Sequence, residues 1–231
     1  MSLTKFSLIP KPRTIACIGR NYAGHIKELS NERPKEPFYF LKPATSILNP
    51  GQGPILAPRG ADLHYEIELA MIMGRTVDEI QPSEEALDAV KGYCVGIDMT
   101  ARNWHQTARR KGLPWSLVKG FKTFLPVSHF IPKNKIPDPH NVRLHLEVNG
   151  ELRQDDNTSL MLFGIPRILQ HISGVFALEE DDLVLTGTPK GVGSVVPGDV
   201  ITAGLSVDGI VLEEGRIEAK VEERAGGYSR L

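Results

Sequence analysis

The most informative stretch of this sequence is His64-Tyr65-Glu66-Ile67-Glu68-Leu69-Ala70-Met71-Ile72-Met73. Apolar residues recur at every second position from Tyr65, which predicts a β-strand with one apolar face. Glu66 and Glu68 then share the opposite face. Two like charges on one strand face repel each other, and burial makes them more costly. The pattern therefore predicts either acids in contact with water or two ligands of a bound cation.

A third acid, later in the chain, favours the interpretation that these glutamates bind a cation. A second apolar run over residues 93–97 ends at Asp98, so this carboxylate is expected at a strand end. An E-x-E pattern taken alone is typical of a half-exposed strand with its acids in water. Three carboxylates without cysteine or clustered histidine, however, form a hard oxygen ligand set, which suits Mg²⁺ or Mn²⁺ better than Zn²⁺ or copper.

The composition restricts the fold and the partners. The 231 residues suffice for one well-packed domain, which we predict to span residues 1–231. The content of 22 Gly and 17 Pro favours many turns and short strands over a helix bundle. Lys and Arg number 27 against 28 acids, for a formal net charge of −1, so no overall field would recruit nucleic acid or an anionic membrane.

The apolar runs of the sequence predict where the protein is located, and the setting of its two cysteines predicts their redox state. No run has the length of a signal peptide or a membrane span, which predicts a cytoplasmic protein without a membrane partner. Cys17 and Cys94 lie in apolar runs and form no C-x-x-C pair. Buried thiols in a reducing compartment are therefore expected.

Two helices are predicted between and after the acidic strands. Residues 83–91 fit a helix with Ser83 as its N-cap. Residues 100–111 fit a second, basic helix with Thr100 as its candidate cap and Gly112 past its end.

The basic helix begins beside the third acid. Arg102 follows Asp98 by one turn, so its guanidinium is placed either to bind a substrate carboxylate or to pair with Asp98 itself. Lys119 follows in an otherwise apolar setting, where a lysine needs an anionic partner.

A buried strand and a short helix are predicted near the N-terminus. Residues 14–19 read as the strand, with Gly19 at the turn into a helix from about residue 23. His25 and Glu28 are three residues apart, so they share a helical face on which the carboxylate can raise the basicity of the imidazole. Taken alone, such a pair is usually a surface ion pair.

Two glycine-containing turns complete the pattern. Asn149-Gly150 between alternating segments predicts a β-hairpin with a type I′ turn. Residues 186–193 form a glycine-rich turn after a strand, and its backbone N–H groups and the Thr188 hydroxyl are placed either to hold an oxyanion or simply to make a tight turn.

Six segments together have the order and spacing of motifs of a known family. They are Ile18-Gly19-Arg20-Asn21-Tyr22 with His25 and Glu28, Phe40-Leu41-Lys42-Pro43, His64-Tyr65-Glu66-Ile67-Glu68-Leu69, Gly96-Ile97-Asp98-Met99-Thr100-Ala101-Arg102, Lys119, and Thr186-Gly187-Thr188-Pro189-Lys190-Gly191. Through them the chain resembles the fumarylacetoacetate hydrolase family over nearly its full length. Its compact length and residues 111–115 are most similar to the single-domain acylpyruvase and oxaloacetate decarboxylase branch.

The resemblance implies a β-rich mixed α+β fold with short peripheral helices, a homodimer, and Mg²⁺ or Mn²⁺ bound by Glu66, Glu68 and Asp98. It also implies that His25 and Glu28 activate a water molecule, on a segment that orders with substrate. Contacts to the carboxylate or keto oxygens of a small anionic 2-oxo acid are implied for Arg20, Arg102, Lys119 and Thr188. Lys119 would also stabilise an enolate.

The function expected from the resemblance is cleavage of acylpyruvates to pyruvate and a carboxylic acid. The same residues suit decarboxylation of oxaloacetate, keto–enol tautomerisation, or isomerisation or hydrolysis of an unsaturated dioxo acid. A non-catalytic, metal-stabilised binding protein is a further alternative. Arg102 is followed by Asn103-Trp104-His105, where relatives often have an acidic and then another polar residue, so the substrate preference and the role of His105 stay open.

Overall fold

A computed structural model describes residues 6–28 and 32–227 of the chain, and every element below lies within them. The strands are β1 (Ile15–Gly19), β2 (Phe38–Lys42), β3 (Ile47–Leu48), β4 (Ile55–Ala57), β5 (Leu63–Tyr65), β6 (Ile67–Met73), β7 (Val90–Ile97), β8 (Thr100–Ala101), β9 (Leu125–Pro126), β10 (Ile131–Pro132), β11 (Arg143–Val148), β12 (Glu151–Asn157), β13 (Leu183–Leu185), β14 (Gly193–Val195), β15 (Val200–Val207), β16 (Ile210–Val211) and β17 (Ile217–Glu223).

The helices are few and short. The α-helices are α1 (Ala23–Glu28), α2 (Arg102–Lys111), α3 (Ser116–Lys119) and α4 (Ile165–Ser173), and 3₁₀ helices span Ala44–Ser46, Glu84–Ala89, Lys133–Lys135, Thr158–Leu160 and Glu213–Gly215. Among the described residues, no helix combines the length and the apolar character that crossing a bilayer requires. The predicted α+β class, rich in strands with short helices around them, is confirmed.

A six-stranded mixed sheet lies at the centre, in the order β10-β7-β6-β13-β1-β2. Strands β1 and β13 run parallel, and the other neighbours run antiparallel. All seven residues of β6 are buried. A strand buried on both faces reads as a nearly continuous apolar run, which explains residues 67–73.

Two apolar clusters cover the two faces of this sheet. Leu69 and Met71 of β6 belong to the larger cluster, whereas Ala70 and Ile72 belong to the smaller one. This alternation is the predicted period of two. Glu68 takes its place on the face of Ala70, so its carboxylate enters a packed interior.

A second sheet packs beside the first, in the order β12-β11-β15-β17-β4, with β16 paired to β15. Its β11–β12 hairpin turns at Asn149 (φ 54°) and Gly150 (φ 79°), as predicted for a type I′ turn. Smaller sheets join β14-β5-β8 and β3-β9. The hairpin matters for the site because β12 carries a buried residue, Gln154, towards β6.

The predicted helix over residues 83–91 forms as a 3₁₀ helix and ends two residues earlier than predicted. A 3₁₀ helix covers Glu84–Ala89, its N-cap Ser83 makes no side-chain capping bond, and Lys91 already lies in β7. Strand β7 pairs with β6 along its length and buries an apolar run, so tertiary pairing outweighs local helix propensity.

The N-cap of α2 and the turn after β1 each lie one residue later than predicted. Thr100 pairs with His64 in a strand, and Ala101 is the N-cap of α2, although Gly112 ends this helix in the left-handed region (φ 63°) as predicted. After β1, the positive φ of 59° falls on Arg20 instead of Gly19. A non-glycine residue in this region is strained, and such positions are frequent at functional sites.

Candidate active site

Three buried acids meet at one end of the β6–β7 pair. Glu66 precedes β6, Glu68 lies within it, and Asp98 follows β7. Antiparallel pairing sets Glu66 beside Asp98, whose N–H donates to the Glu66 carbonyl at 2.8 Å. One carboxylate oxygen of each acid lies within 4.8 Å of the other two, and the residues are 7%, 1% and 1% exposed. The expectation of acids in contact with water is therefore wrong.

Three buried cations surround these acids. Lys119 donates to Glu66 Oε2 at 2.8 Å and to Asp98 Oδ2. Lys42 donates to Asp98 Oδ1 at 2.6 Å, and Arg102 donates to Glu66 Oε1. The anionic partner expected for Lys119 is thus present. Arg102 pairs with Glu66 and not with Asp98, whose partners are the two lysines.

The neighbouring charges shift the pKa values of Glu66 and Glu68 in opposite directions. Burial alone would raise the pKa of Glu66, but Lys119 and Arg102 together hold it well below its usual value. Burial, reinforced by Asp98 and Glu66, raises the pKa of Glu68 well above its usual value. Among the described residues, Glu68 has no cation paired to it and accepts a hydrogen bond from the Gly187 N–H at 2.6 Å. Glu68 is therefore the acid with the greatest need for a cation.

The donor set fits a hard divalent cation. Three carboxylates supply only oxygen atoms, which Mg²⁺ and Mn²⁺ prefer. Oxygen ligands around an octahedral Mg²⁺ lie roughly 3 to 4 Å apart, so the oxygens within 4.8 Å of one another need only a small shift. The same shift would relieve the desolvated charge of Glu68. Glu66, Glu68 and Asp98 are therefore the residues that would hold the metal.

His25 and Glu28 lie on α1, as expected from their spacing. His25 Nδ1 is 3.5 Å from Glu28 Oε2, an ion-pair distance that is too long for a good hydrogen bond. Glu28 instead accepts the Gly191 N–H at 3.2 and 3.3 Å. Burial lowers the pKa of His25, although Glu66 opposes the shift, so the imidazole is neutral near pH 7. A neutral, buried imidazole can accept a proton; its role and the ordering of its segment with substrate stay predictions.

A small pocket of about 40 Å³ opens onto the acids. The predicted site residues that line it are Arg20, His25, Glu66, Glu68, Arg102, Lys119 and Thr188. Asp98 lies behind them in the acid cluster, and Glu28 lies beside His25. The structure thus brings all the predicted site residues to one place, while their individual roles stay predictions.

The glycine-rich turn is held tightly against the first strand. Gly187 has φ 95°, and a Cβ there would lie 2.7 Å from the Cβ of Asn21. Asn21 donates to the Thr186 carbonyl at 2.8 Å and accepts the Phe163 N–H at 2.8 Å. Only glycine fits this position, because both the left-handed backbone and the close contact exclude a side chain. The turn therefore presents the Gly187 N–H to Glu68 in a fixed orientation.

Several residues of the site had no role assigned from the sequence. Lys42 was noted only within a motif, although a lysine ending an aromatic strand is itself a signal of a buried partner. Gln154 offered no signal, because its partners lie far away in the chain: Ile67 is 87 residues distant. His105 proves to line the pocket and to be 6% exposed.

Comparison with known proteins agrees with this geometry. A family model described as Fumarylacetoacetate (FAA) hydrolase C-terminal matches residues 14–222. The chain belongs to the fumarylacetoacetate hydrolase family. The resemblance inferred from the six segments is thereby confirmed, and the acid cluster lies within the matched region of this family member.

Relatives within the family point to 2-oxo acid chemistry. The mitochondrial oxaloacetate tautomerase oaa1 of Schizosaccharomyces pombe is 52% identical over 200 residues, which are 86% of this chain and 90% of that protein. The mitochondrial oxaloacetate decarboxylase of Dictyostelium discoideum is 48% identical over 195 residues, 84% of this chain and 89% of that protein. The structure of fumarylpyruvate hydrolase from Pseudomonas aeruginosa, in complex with Mn²⁺ and pyruvate, matches with a TM-score of 0.83 and 33% identity, covering 96% of this chain and 93% of that one.

Proposed function

We propose that this member of the fumarylacetoacetate hydrolase family is a divalent-metal-dependent enzyme that interconverts the keto and enol forms of oxaloacetate. The observation that carries the proposal is the buried acid cluster of Glu66, Glu68 and Asp98 beside a pocket that His25 and Lys119 line. Identity of about one half to an oxaloacetate tautomerase over most of both chains supports it.

The charges of the site favour a dianionic substrate. Three buried acids face three buried cations, Lys42, Arg102 and Lys119, so these six groups carry no net charge when all are ionised. A bound divalent cation would leave two positive charges in excess, and uncompensated buried charge is costly. Oxaloacetate, with two carboxylates, would balance this excess. An acylpyruvate with a single carboxylate would balance half of it.

The chain's own residues supply the proton transfer. His25, neutral and in the pocket, takes a proton from C3 of the keto form; the electrons of that C–H bond form the C2–C3 double bond, and charge moves to the C2 oxygen. The ammonium group of Lys119 stabilises this enolate oxygen. Return of the proton to the oxygen gives the enol. When bound, Mg²⁺ or Mn²⁺ supplies a Lewis acid that lowers the energy of negative charge on the substrate oxygens.

Tautomer exchange tests the proposal directly. Enol oxaloacetate would be followed by its ultraviolet absorbance, with and without excess malate dehydrogenase and NADH, which remove only the keto form. Free Mg²⁺ itself promotes the exchange, so the matched control is the Glu68→Gln variant at the same Mg²⁺ concentration. We expect exchange to be at least about 100-fold faster with the wild-type chain than with this variant. Equal rates for the two proteins would refute the function.

Hydrolysis of acylpyruvates, the function expected from the sequence, is the second candidate. The observation in its favour is that Glu28 lies 3.5 Å from His25, where it can orient the imidazole towards a water molecule. Glu28→Gln should lower the hydrolysis of acetylpyruvate about 100-fold, while decarboxylation of oxaloacetate, which needs no water nucleophile, changes little. Lys27→Gln on the same helix is the control. Equal loss of both activities would remove water activation from this pair.

The remaining alternatives have separate readouts. Release of pyruvate from oxaloacetate would indicate decarboxylation, and turnover of an unsaturated dioxo acid would indicate an isomerase or hydrolase of such compounds. A rise in melting temperature with Mg²⁺ but no turnover of any 2-oxo acid would indicate a metal-stabilised binding protein.

We further propose that the protein is a homodimer in the cytoplasm, as the resemblance and the sequence imply. Static light scattering should then give twice the chain mass of 25.5 kDa. Because the two similar oxaloacetate enzymes have mitochondrial in their names, cell fractionation is the test of location. Recovery of the protein with mitochondria would refute the cytoplasmic location.

A further inference from the structure

His105 has a buried polar atom that lacks a partner. The residue lies on α2, lines the pocket and is 6% exposed. Its Nε2 atom is shielded from solvent and has no hydrogen-bond partner among the described residues. Buried polar atoms are nearly always paired, so an unpaired one in a pocket marks a place for a ligand atom.

The chemical character of that atom follows from its neighbours. Nδ1 of the same ring is 3.4 Å from Nη1 of Arg102. A guanidinium only donates, so Nδ1 must accept, and the ring proton resides on Nε2. Burial, together with Lys119 and Arg102, lowers the pKa of His105 to about 3 and keeps the ring neutral. His105 therefore presents a neutral N–H donor, and it needs an acceptor.

The ring is held in this orientation by packing. The centroid of the His105 ring lies 4.3 Å from that of Trp115, with the two planes at 89°. An edge-to-face contact of this kind limits rotation of the imidazole. The N–H donor is thus preorganised before any ligand arrives.

Two cations without carboxylate partners line the same pocket. Arg20 is half-buried, Arg109 is exposed, and neither forms an ion pair within the described part of the chain. Burial and then the charge of Arg109 lower the pKa of Arg20, while the charge of Glu32 opposes the shift. Their positive potential attracts an anion to this part of the pocket.

We propose that His105, Arg109 and Arg20 form an anion subsite, which binds the ligand carboxylate that lies farther from the acid cluster. The subsite makes a dicarboxylic 2-oxo or 2-hydroxy acid the preferred ligand over an analogue that ends in a methyl group. The inference rests on the proposed function for the 2-oxo acid end of the ligand. His105 is a specificity-determining residue, since its Nε2–H group donates to a carboxylate oxygen at the far end of the ligand.

A matched pair of unreactive ligands tests the subsite. Malate and 2-hydroxybutyrate have the same four-carbon skeleton and differ by a carboxylate in place of a methyl group. Their dissociation constants would be measured by calorimetry on the Mg²⁺-loaded protein. We expect malate to bind at least about 10-fold more tightly, as a charge-assisted hydrogen bond allows. Equal affinities, or no detectable binding of malate, would overturn the proposal.

Variants connect the preference to the named residues. Arg109→Gln and His105→Phe should each reduce the malate preference about 10-fold and leave 2-hydroxybutyrate affinity unchanged within about 2-fold. His105→Gln retains an N–H donor near Nε2 and should restore most of the preference. Arg110→Gln, on the same helix but outside the lining of this pocket, is the control. An unchanged preference in Arg109→Gln, which alters an exposed position, would overturn the subsite even if His105→Phe folded poorly.

The two proposals can fail separately. Loss of the malate preference in the variants would support the subsite even if the wild-type protein did not exchange the tautomers of oxaloacetate. Tautomer exchange with an unchanged malate preference in the variants would support the function and overturn the subsite.

Discussion

Gln154 donates a hydrogen bond from its side-chain amide to the Thr188 hydroxyl at 2.9 Å. The oxygen of the same amide accepts the Ile67 N–H at 3.0 Å. Ile67 lies between two of the metal-site acids, and Thr188 lies in the turn that binds Glu68. One buried side chain of the second sheet therefore sets the distance between the acids and the glycine-rich turn.

Replacement of Gln154 by Met should loosen this arrangement. The volume is conserved, but the Ile67 N–H and the Thr188 hydroxyl lose their partner, so the free energy of unfolding should fall by about 3 kcal/mol. Support of metal ligands by neighbouring hydrogen bonds is typically worth 10–100-fold in affinity, so the dissociation constant for Mg²⁺ should rise about 10-fold. Urea unfolding and calorimetry measure the two effects. The exposed Gln81→Met is the control, and an unchanged Mg²⁺ affinity in Gln154→Met would contradict the assignment.

The two buried glutamates should respond oppositely to neutralisation. In EDTA, Glu66→Gln leaves Arg102 without its anion and Lys119 with Asp98 alone, and it should cost about 3 kcal/mol in the free energy of unfolding. Glu68→Gln relieves repulsion from Asp98 and should be neutral or stabilising by about 1 kcal/mol. Both variants should lose the rise in melting temperature that Mg²⁺ gives the wild-type chain. Thermal unfolding with Mg²⁺ and with EDTA is the measurement; greater destabilisation by Glu68→Gln in EDTA would show that the charge assignment is wrong.

Lys42 should prove essential for stability. Its ammonium donates to Asp98 Oδ1 and to the carbonyls of Lys119 and Met99, and the residue is 3% exposed. Lys42→Met leaves a buried carboxylate and two carbonyls without this donor, which should lower the free energy of unfolding by about 4 kcal/mol. Lys122→Met, at an exposed position, should change it by less than about 0.5 kcal/mol. Similar values for the two variants in urea unfolding would refute this prediction.

His105 should make stability depend on pH. Its pKa is lowered from 6.5 to about 3 in the folded chain, so between these values the unfolded chain binds a proton that the folded chain does not. The contribution of His105 to the free energy of unfolding is fully present above pH 6.5. It is lost as the pH falls, by up to about 1.4 kcal/mol per pH unit. His105→Phe removes this dependence. The stability advantage of the wild-type chain over His105→Phe, measured by urea unfolding in EDTA, should therefore shrink between pH 6 and pH 4; a constant difference would contradict burial of a neutral imidazole.

Much of the fold could be predicted because short-range physics governs it. The period of two over residues 65–71 separates apolar from acidic faces in any extended chain, and the Asn149-Gly150 pair turns because both residues tolerate positive φ. Gly112 ends α2 for the same reason. Cys17 and Cys94 are buried and free, as their apolar surroundings predict. The extent of one domain over residues 1–231 stays a prediction.

The same local rules fail where a distant strand competes. Residues 90 and 91 have a helical pattern in isolation, but pairing with β6 recruits them into β7. The positive φ at Arg20 instead of Gly19 likewise depends on the surroundings of the pocket, where strain at one residue is offset by the packing of others.

Residue types alone predicted Glu66, Glu68 and Asp98 as donors to a hard metal ion, because carboxylates without thiols or clustered imidazoles suit few other ions. Only the tertiary structure decided which cation each acid receives: Lys42 binds Asp98, Arg102 binds Glu66, Lys119 binds both of these acids, and Glu68 has none among the described residues. The physical reason is distance, because Coulomb and hydrogen-bond energies depend on separations of a few ångströms between residues that lie far apart in the chain. Sequence spacing carries no information about those separations.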